Sequence, residues 1–146
     1  MHEWSVSDGI VKAALAAVAK NSLKKVEEVV VYVGELAQLD ISILEEAVKV
    51  FSENTVLERA RFRFEVVKAE FECKKCGATW TLKDVVKIIE EETKTSKILD
   101  EEGGEYDIPL HYMPEIVYAF SRCPKCGSRD FEVKSGLGVK VEVRGE

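Results

Sequence analysis

Arg61-Phe62-Arg63-Phe64-Glu65-Val66-Val67-Lys68-Ala69-Glu70-Phe71-Glu72-Cys73-Lys74-Lys75-Cys76-Gly77 is the stretch that decides the fold, because an alternating strand runs directly into a Cys-x-x-Cys turn. Phe62, Phe64 and Val66 share one face, and the phase then slips to Val67, Ala69 and Phe71. A β-bulge near Val66 and Val67 is the expected cause, leaving one long strand with a knuckle hanging from its end. A matching knuckle, Cys123-Pro124-Lys125-Cys126-Gly127, leads back the same way. After it come Phe131 and Val133, a Ser135-Gly136 turn, and an alternation of Leu137, Val139, Val141 and Val143 that can rejoin the sheet.

The two knuckles contain all 4 cysteines of the chain. Two Cys-x-x-Cys turns make a complete tetrahedral zinc site from Cys73, Cys76, Cys123 and Cys126, and the glycine after each pair permits a left-handed backbone. Four thiolates leave no coordination position for water or substrate, so the metal is expected to be structural rather than hydrolytic. Two disulfides or a redox pair are the competing readings. The expected role of zinc is to hold a module too small to fold on a core of its own.

Upstream, residues 5 to 20 read as a helix with Ser5 or Ser7 as N-cap and Val6, Ile10, Ala13, Ala14, Ala17 and Val18 at helical spacing. Val26 to Val33 is a β-branched run expected to form a buried strand that Gly34-Glu35 breaks. A second helix is expected from about Ile41 to Ser52, capped by Asp40 or Ser42, with Glu45 completing a capping box. The 46 residues between Cys76 and Cys123 exceed what a minimal zinc ribbon needs. Within them Leu82, Val85, Val86 and Ile89 mark a short helix, Glu101 to Asp107 an exposed loop, and Ile108 to Phe120 an apolar, extended segment.

Composition narrows the function classes. A chain of 146 residues, 46% of them hydrophobic, allows one ordinary domain plus a small metal-stapled module. No run approaches the roughly 20 apolar residues of a membrane span, and the start lacks a signal-peptide pattern, so a cytoplasmic protein without a membrane partner is expected. The net charge of −6 resides in residues 84 to 107, with nine acids against three lysines. A zinc-ribbon protein bound to nucleic acid or transcription machinery is the alternative function. It would need a basic, aromatic-lined surface that the charge balance does not supply. An enzyme is not expected, since there is no phosphate-binding glycine loop, spare cysteine nucleophile or histidine pair.

The 2 histidines are His2 and His111. A histidine second in the chain can offer three nitrogens to one ion: the α-amine of Met1, its own deprotonated backbone amide and its imidazole. That planar set suits Ni(II) or Cu(II), leaves one corner open for exchange, and requires the initiator methionine to be retained. By position alone, however, such a histidine more often belongs to a frayed terminus.

Met1-His2-Glu3, a helix, a strand ending Val33-Gly34-Glu35, a second helix, and an alternating strand feeding two Cys-x-x-Cys knuckles together closely resemble the HypA family of nickel metallochaperones for NiFe-hydrogenase maturation. The resemblance spans essentially the whole chain. It implies an α/β fold, with two helices on a three-stranded mixed sheet and a small zinc-ribbon-like domain inserted between two strands. The nickel-binding domain would comprise residues 1–70 and 134–146, and the zinc domain residues 71–133. Nickel, the transferred metal, is assigned to Met1 and His2, with Glu3 as a nearby ligand or supporting group, and structural zinc to Cys73, Cys76, Cys123 and Cys126. The implied partners are the GTPase HypB and the hydrogenase large-subunit precursor, with no nucleic acid; the sequence allows a homodimer without specifying one. Residues from about 81 to 120 depart from the shorter bacterial forms and look like an insertion. One hypothesis is that this insertion supplies His111 as a fourth nickel ligand when the zinc domain swings toward the N-terminus; a packed or hydrogen-bonded histidine is the competing reading.

Overall fold

The computed structural model describes residues 2–93 and 116–146. In chain order its elements are α1 (Glu3–Lys20), β1 (Val26–Gly34), a 3-10 turn (Glu35–Ala37), α2 (Ile41–Ser52), β2 (Arg61–Val67), β3 (Glu70–Cys73), β4 (Thr79–Thr81), α3 (Leu82–Thr93), α4 (Ile116–Phe120), β5 (Phe131–Ser135) and β6 (Val139–Gly145). They divide into two compact units, one of residues 1–67 and 138–146, the other of residues 68–137.

In the first unit the β-branched run forms the central strand of a sheet ordered β2-β1-β6, parallel to β2 and antiparallel to β6. The sheet is mixed, as expected. Val29 lies between Phe62 and Val143, and Val31 between Phe64 and Val141, so alternate residues of all three strands face one way. Against that face pack Ile10, Val11, Ala14 and Val18 of α1 and Leu44 and Val48 of α2. Val29, Val31, Ala14, Leu44 and Val48 are all 0% exposed, which marks this as the core of the unit. The opposite face is charged. There the largely covered Glu28 carboxylate is shared by Arg61 at 3.3 Å, Arg63 at 3.5 Å and Arg144 at 3.5 Å, and Tyr32 donates its hydroxyl to Glu142 at 3.0 Å.

Helix starts differ from the sequence expectation. α1 begins at Glu3 rather than near residue 5, with His2 as an N-cap that makes no side-chain cap bond; Ser5 and Ser7 lie inside the helix, and Ser7 is buried. What anchors this start is Glu3, whose carboxylate accepts the backbone N–H of Asp40 at 3.3 Å and whose charge suits the first turn of a helix. α2 is capped by Asp40, whose carboxylate accepts from the amides of Ser42 at 3.0 Å and Ile43 at 3.4 Å. With Asp40 as cap, the third helical residue is Ile43, so Glu45 completes no capping box and instead faces a groove beside β2. Because one carboxylate serves both amides, Asp40→Ala should lower the melting temperature of the first unit by a few degrees, measurable by circular dichroism.

The expected single long strand is two strands in two sheets. β2 ends at Val67 and β3 starts at Glu70 in a second sheet, ordered β4-β3-β5, so the phase slip at Val66 and Val67 marks a change of sheet rather than a bulge. Ala69, 1% exposed, sits at that change. Gly136, with φ of +92°, passes so close that an added Cβ would lie 2.5 Å from the Ala69 Cα, so only glycine fits both the backbone and the space. Leu137 stands outside β6 and is 60% exposed.

The second unit contains an apolar cluster in addition to its four cysteines. Phe71 stacks on Trp80 with ring centroids 5.8 Å apart, and Phe131 meets both edge-on. Leu82, Val85 and Ile89 of α3 and Val117 of α4 are buried, and Trp80 donates its indole N–H to Ser121 Oγ at 3.1 Å. Residues 116–120 are helical rather than extended; the rest of the segment from Ile108, and the loop at 101–107, lie outside the described residues.

Candidate metal centres

Each knuckle is built by the same local hydrogen bonds. After Cys73 the chain turns so that Gly77 N–H donates to the Cys73 carbonyl at 3.0 Å, and after Cys123 Gly127 does the same at 2.9 Å. Both glycines have φ of +75°, the left-handed conformation expected from the sequence. The Cys76 amide points at Cys73 Sγ and the Cys126 amide at Cys123 Sγ, each at 3.4 Å. Return bonds close the turns, from Cys73 N–H to the Ala78 carbonyl at 2.8 Å and from Cys123 N–H to the Ser128 carbonyl at 2.9 Å. β3 places the first knuckle. The segment after α4 places the second, where Arg122 pairs with Glu92 of α3.

The four Sγ atoms lie within 4.8 Å of one another. Across the pairs, Cys73 and Cys126 sulfurs are 3.6 Å apart and Cys76 and Cys123 sulfurs 3.5 Å apart. A tetrahedron of sulfurs at the usual zinc bond length of about 2.3 Å has edges of about 3.8 Å, so the cluster fits zinc closely. These are separated thiols, not disulfides. Their electrostatics favour a metal. Burial pushes the Cys123 thiol up, yet the amides of Cys126 and Lys125 and the neighbouring thiols outweigh it and bring the group down to about 6. The Cys76 amide, working against burial, likewise lowers Cys73. For Cys76 the Ala78 amide pulls down, but Cys123, burial and the other two thiols push it up to about 11. Without metal the cluster therefore shares protons unevenly, and a dication removes that conflict by taking all four as thiolates.

The proposed nickel residues are only partly within the described chain. His2 is exposed, and its carbonyl accepts the Val6 amide at 2.9 Å as the first bond of α1. Glu3 is 2% exposed and tied to Asp40. Met1 and His111 lie outside the described residues. The link from Glu3 to the cap of α2 was not anticipated; an acid immediately before the first apolar turn of a helix was the available signal.

A cluster of four cysteine sulfurs spaced to hold one metal ion, in a chain that also carries a small mixed α/β unit, defines the class of metal-binding proteins. The HypA family model, described as hydrogenase/urease nickel incorporation, metallochaperone, matches residues 1–144. The hydrogenase maturation factor HypA of Thermococcus sibiricus is 38% identical over 149 residues, covering 100% of this chain and 99% of that one. That of Pyrococcus horikoshii is 37% identical over 151 residues, again with 100% and 99% coverage. Among solved structures, the nickel metallochaperone HypA from Helicobacter pylori covers 100% of both chains with a TM-score of 0.57 at 23% identity, a likeness of fold. The chain belongs to the HypA family of nickel metallochaperones for hydrogenase maturation. No helix among the described residues is long and apolar enough to cross a membrane.

Proposed function

We propose that this protein captures Ni(II) at its first residues and hands it to the hydrogenase large-subunit precursor in the cytoplasm, with HypB as its GTPase partner and zinc held by Cys73, Cys76, Cys123 and Cys126. The nickel donors in this reading are the α-amine of Met1 and the amide and imidazole of His2. The observation that carries it is the setting of His2 at the head of α1, exposed and with its imidazole making no cap bond. An amide at a helix start has no intrahelical acceptor, and the positive end of the helix dipole favours the negative charge that deprotonation creates there. Glu3, buried against Asp40, acts in this reading as a support that fixes the chain just after the site rather than as a coordinating oxygen. The fourth position stays open to exchange in this reading, with His111 as its transient occupant.

The protein catalyses no reaction in this account; selectivity comes from planar nitrogen donors and release from the exchangeable fourth position. Some cations of the second unit are met by acids, Lys74 by Asp130 at 3.9 Å, Lys134 by Glu132 at 3.2 Å and Arg122 by Glu92. Nickel titration by calorimetry across pH tests the donor set. The amine, amide and imidazole must all lose protons, so affinity should fall by more than tenfold per pH unit on acidification through the neutral range. A fall of tenfold or less would mean that no more than one proton is released and would reject amide coordination. His111→Ala should weaken nickel binding without altering zinc content; unchanged affinity and visible spectrum, alone and with the GTPase, would remove His111 from the set.

A further inference from the structure

Two adjacent side chains at the head of α1 reach opposite ends of α2. Glu3 accepts the backbone N–H of Asp40, the N-cap of α2, at 3.3 Å. Trp4 meets Phe51, next to last in the same helix, edge-on, with ring centroids 5.8 Å apart and planes at 74°. At a rise of about 1.5 Å per residue those two anchor points lie roughly 16 Å apart along α2. Neighbouring residues of a helix point about 100° apart around its axis, so the first turn of α1 is held in two directions rather than one. The two aromatic rings are not equivalent. Phe51 packs against the core of the unit, whereas Trp4 leaves 47% of its surface in solvent. The indole therefore adds little to the core, and its edge-on contact ties a turn that lacks a side-chain cap to a fixed element.

We propose that Trp4, seated on Phe51, is a positioning residue for nickel: together with the Glu3 bond it holds the first turn of α1, and so the backbone at His2, in one orientation before the metal arrives. The inference rests on the nickel reading above and deepens it. The chelate of that reading closes through Met1 and through the amide and side chain of His2. It leaves the backbone torsion after the His2 Cα free. That torsion is already helical, with ψ of −6°, and the His2 carbonyl accepts the Val6 amide at 2.9 Å. Chelate and helix can thus share His2 without distorting each other. Long helical side chains lean toward the N-terminus, so the indole stands over the turn that starts at His2 rather than over the next one. Were that turn frayed, nickel would meet the ordered form only part of the time, and apparent affinity would fall by that fraction. A preset turn also fixes the direction in which the exchangeable fourth position faces, which an accepting ligand requires.

The test uses the full-length, zinc-loaded protein with nickel chloride at fixed pH. Affinity is read by competition with a chelator, and the geometry of the site by circular dichroism in the visible band of planar Ni(II). Trp4→Ala, at a largely exposed position, should speed hydrogen exchange at the Val6 amide, lower nickel affinity about fivefold and shrink the visible dichroic band. Trp4→Phe, which keeps a ring against Phe51, should restore affinity to within about twofold and recover the band. Phe51→Leu preserves apolar bulk against the core but removes the ring contact, so it should reproduce the loss. The double change Trp4→Ala with Phe51→Leu should cost no more than Trp4→Ala alone, because both remove one contact. Far-ultraviolet dichroism and zinc content confirm that each variant is folded. A wild type without the planar nickel band would reject the nickel reading and the proposal with it. A wild type that shows the band, with affinity and band unchanged in Trp4→Ala even if Val6 exchanges faster, would reject the positioning role alone. Losses that add in the double variant, or a folded Trp4→Phe that fails to recover, would reject it equally.

Discussion

Replacing His2 with glutamine should lower nickel affinity by at least about a hundredfold while leaving one zinc per chain. The estimate follows from the donor count. Glutamine keeps the backbone amide and removes the imidazole, one of the three nitrogens proposed from the terminus and the one that closes the second chelate ring, and loss of a group merely supporting a ligand already costs roughly 10–100-fold in metal affinity. Glutamine is chosen because a bulky second residue keeps Met1 in place. Zinc should be indifferent, since its four sulfurs belong to the second unit, where the Cys76 and Cys126 amides point at the sulfurs of Cys73 and Cys123. Visible spectroscopy adds a structural readout, because square-planar Ni(II) bound to an amidate has a characteristic absorption that the variant should lose. A variant that retained both affinity and spectrum would place nickel elsewhere.

Removing zinc should have the opposite distribution of effects. Binding to four thiolates in zinc-finger peptides contributes on the order of 10–16 kcal/mol, far more than most small modules have in reserve. The second unit does possess the Phe71, Trp80 and Phe131 cluster, so chelation should not reduce it to random coil. The expected result is loss of the knuckles and of the ordering of β3 and β5 at Cys73 and Phe131, with Trp80 fluorescence reporting a loosened aromatic core. Amides of β1, buried between α1, α2 and the neighbouring strands, should keep their slow hydrogen exchange. Collapse of protection in both units together would show that the metal stabilises the whole chain rather than one part.

How much of this was legible in the residues differs by element. β1 and α2 were readable because single strong signals coincide there: a β-branched run in one case, an Asp40 cap ahead of an apolar stripe in the other. The cysteine quartet was equally plain, since its spacing and trailing glycines specify the knuckle geometry locally. The α1 start was misplaced because His2 makes no side-chain cap; Glu3 and its long-range bond to Asp40 do the anchoring, and nothing local announces a partner 37 positions away. The switch of sheets at Lys68 and Ala69 was visible as a phase slip but ambiguous, because a bulge and a change of sheet leave the same mark on alternation. What distinguishes them is which strands pair, β2 with β1 and β3 with β4 and β5, and that is a matter of tertiary structure. Residues 116–120 read as extended because Ile116, Val117, Tyr118 and Phe120 favour strands intrinsically; Val117, buried, and the Ser121 amide bonded to its carbonyl at 2.9 Å place them in a helical turn instead.

Zinc and nickel are thus assigned to separate donor sets, a closed one of four sulfurs and an open one at the chain's first residues. Native mass spectrometry of the zinc-loaded protein titrated with nickel, comparing the free terminus with a form carrying one extra residue before Met1, tests that division most directly. The account predicts one zinc in both forms and tight, single-equivalent nickel only with the free terminus, because an added residue turns the α-amine into a peptide amide and moves His2 out of second place. Equal nickel binding by both forms, or nickel displacing zinc from the cysteines, would contradict it.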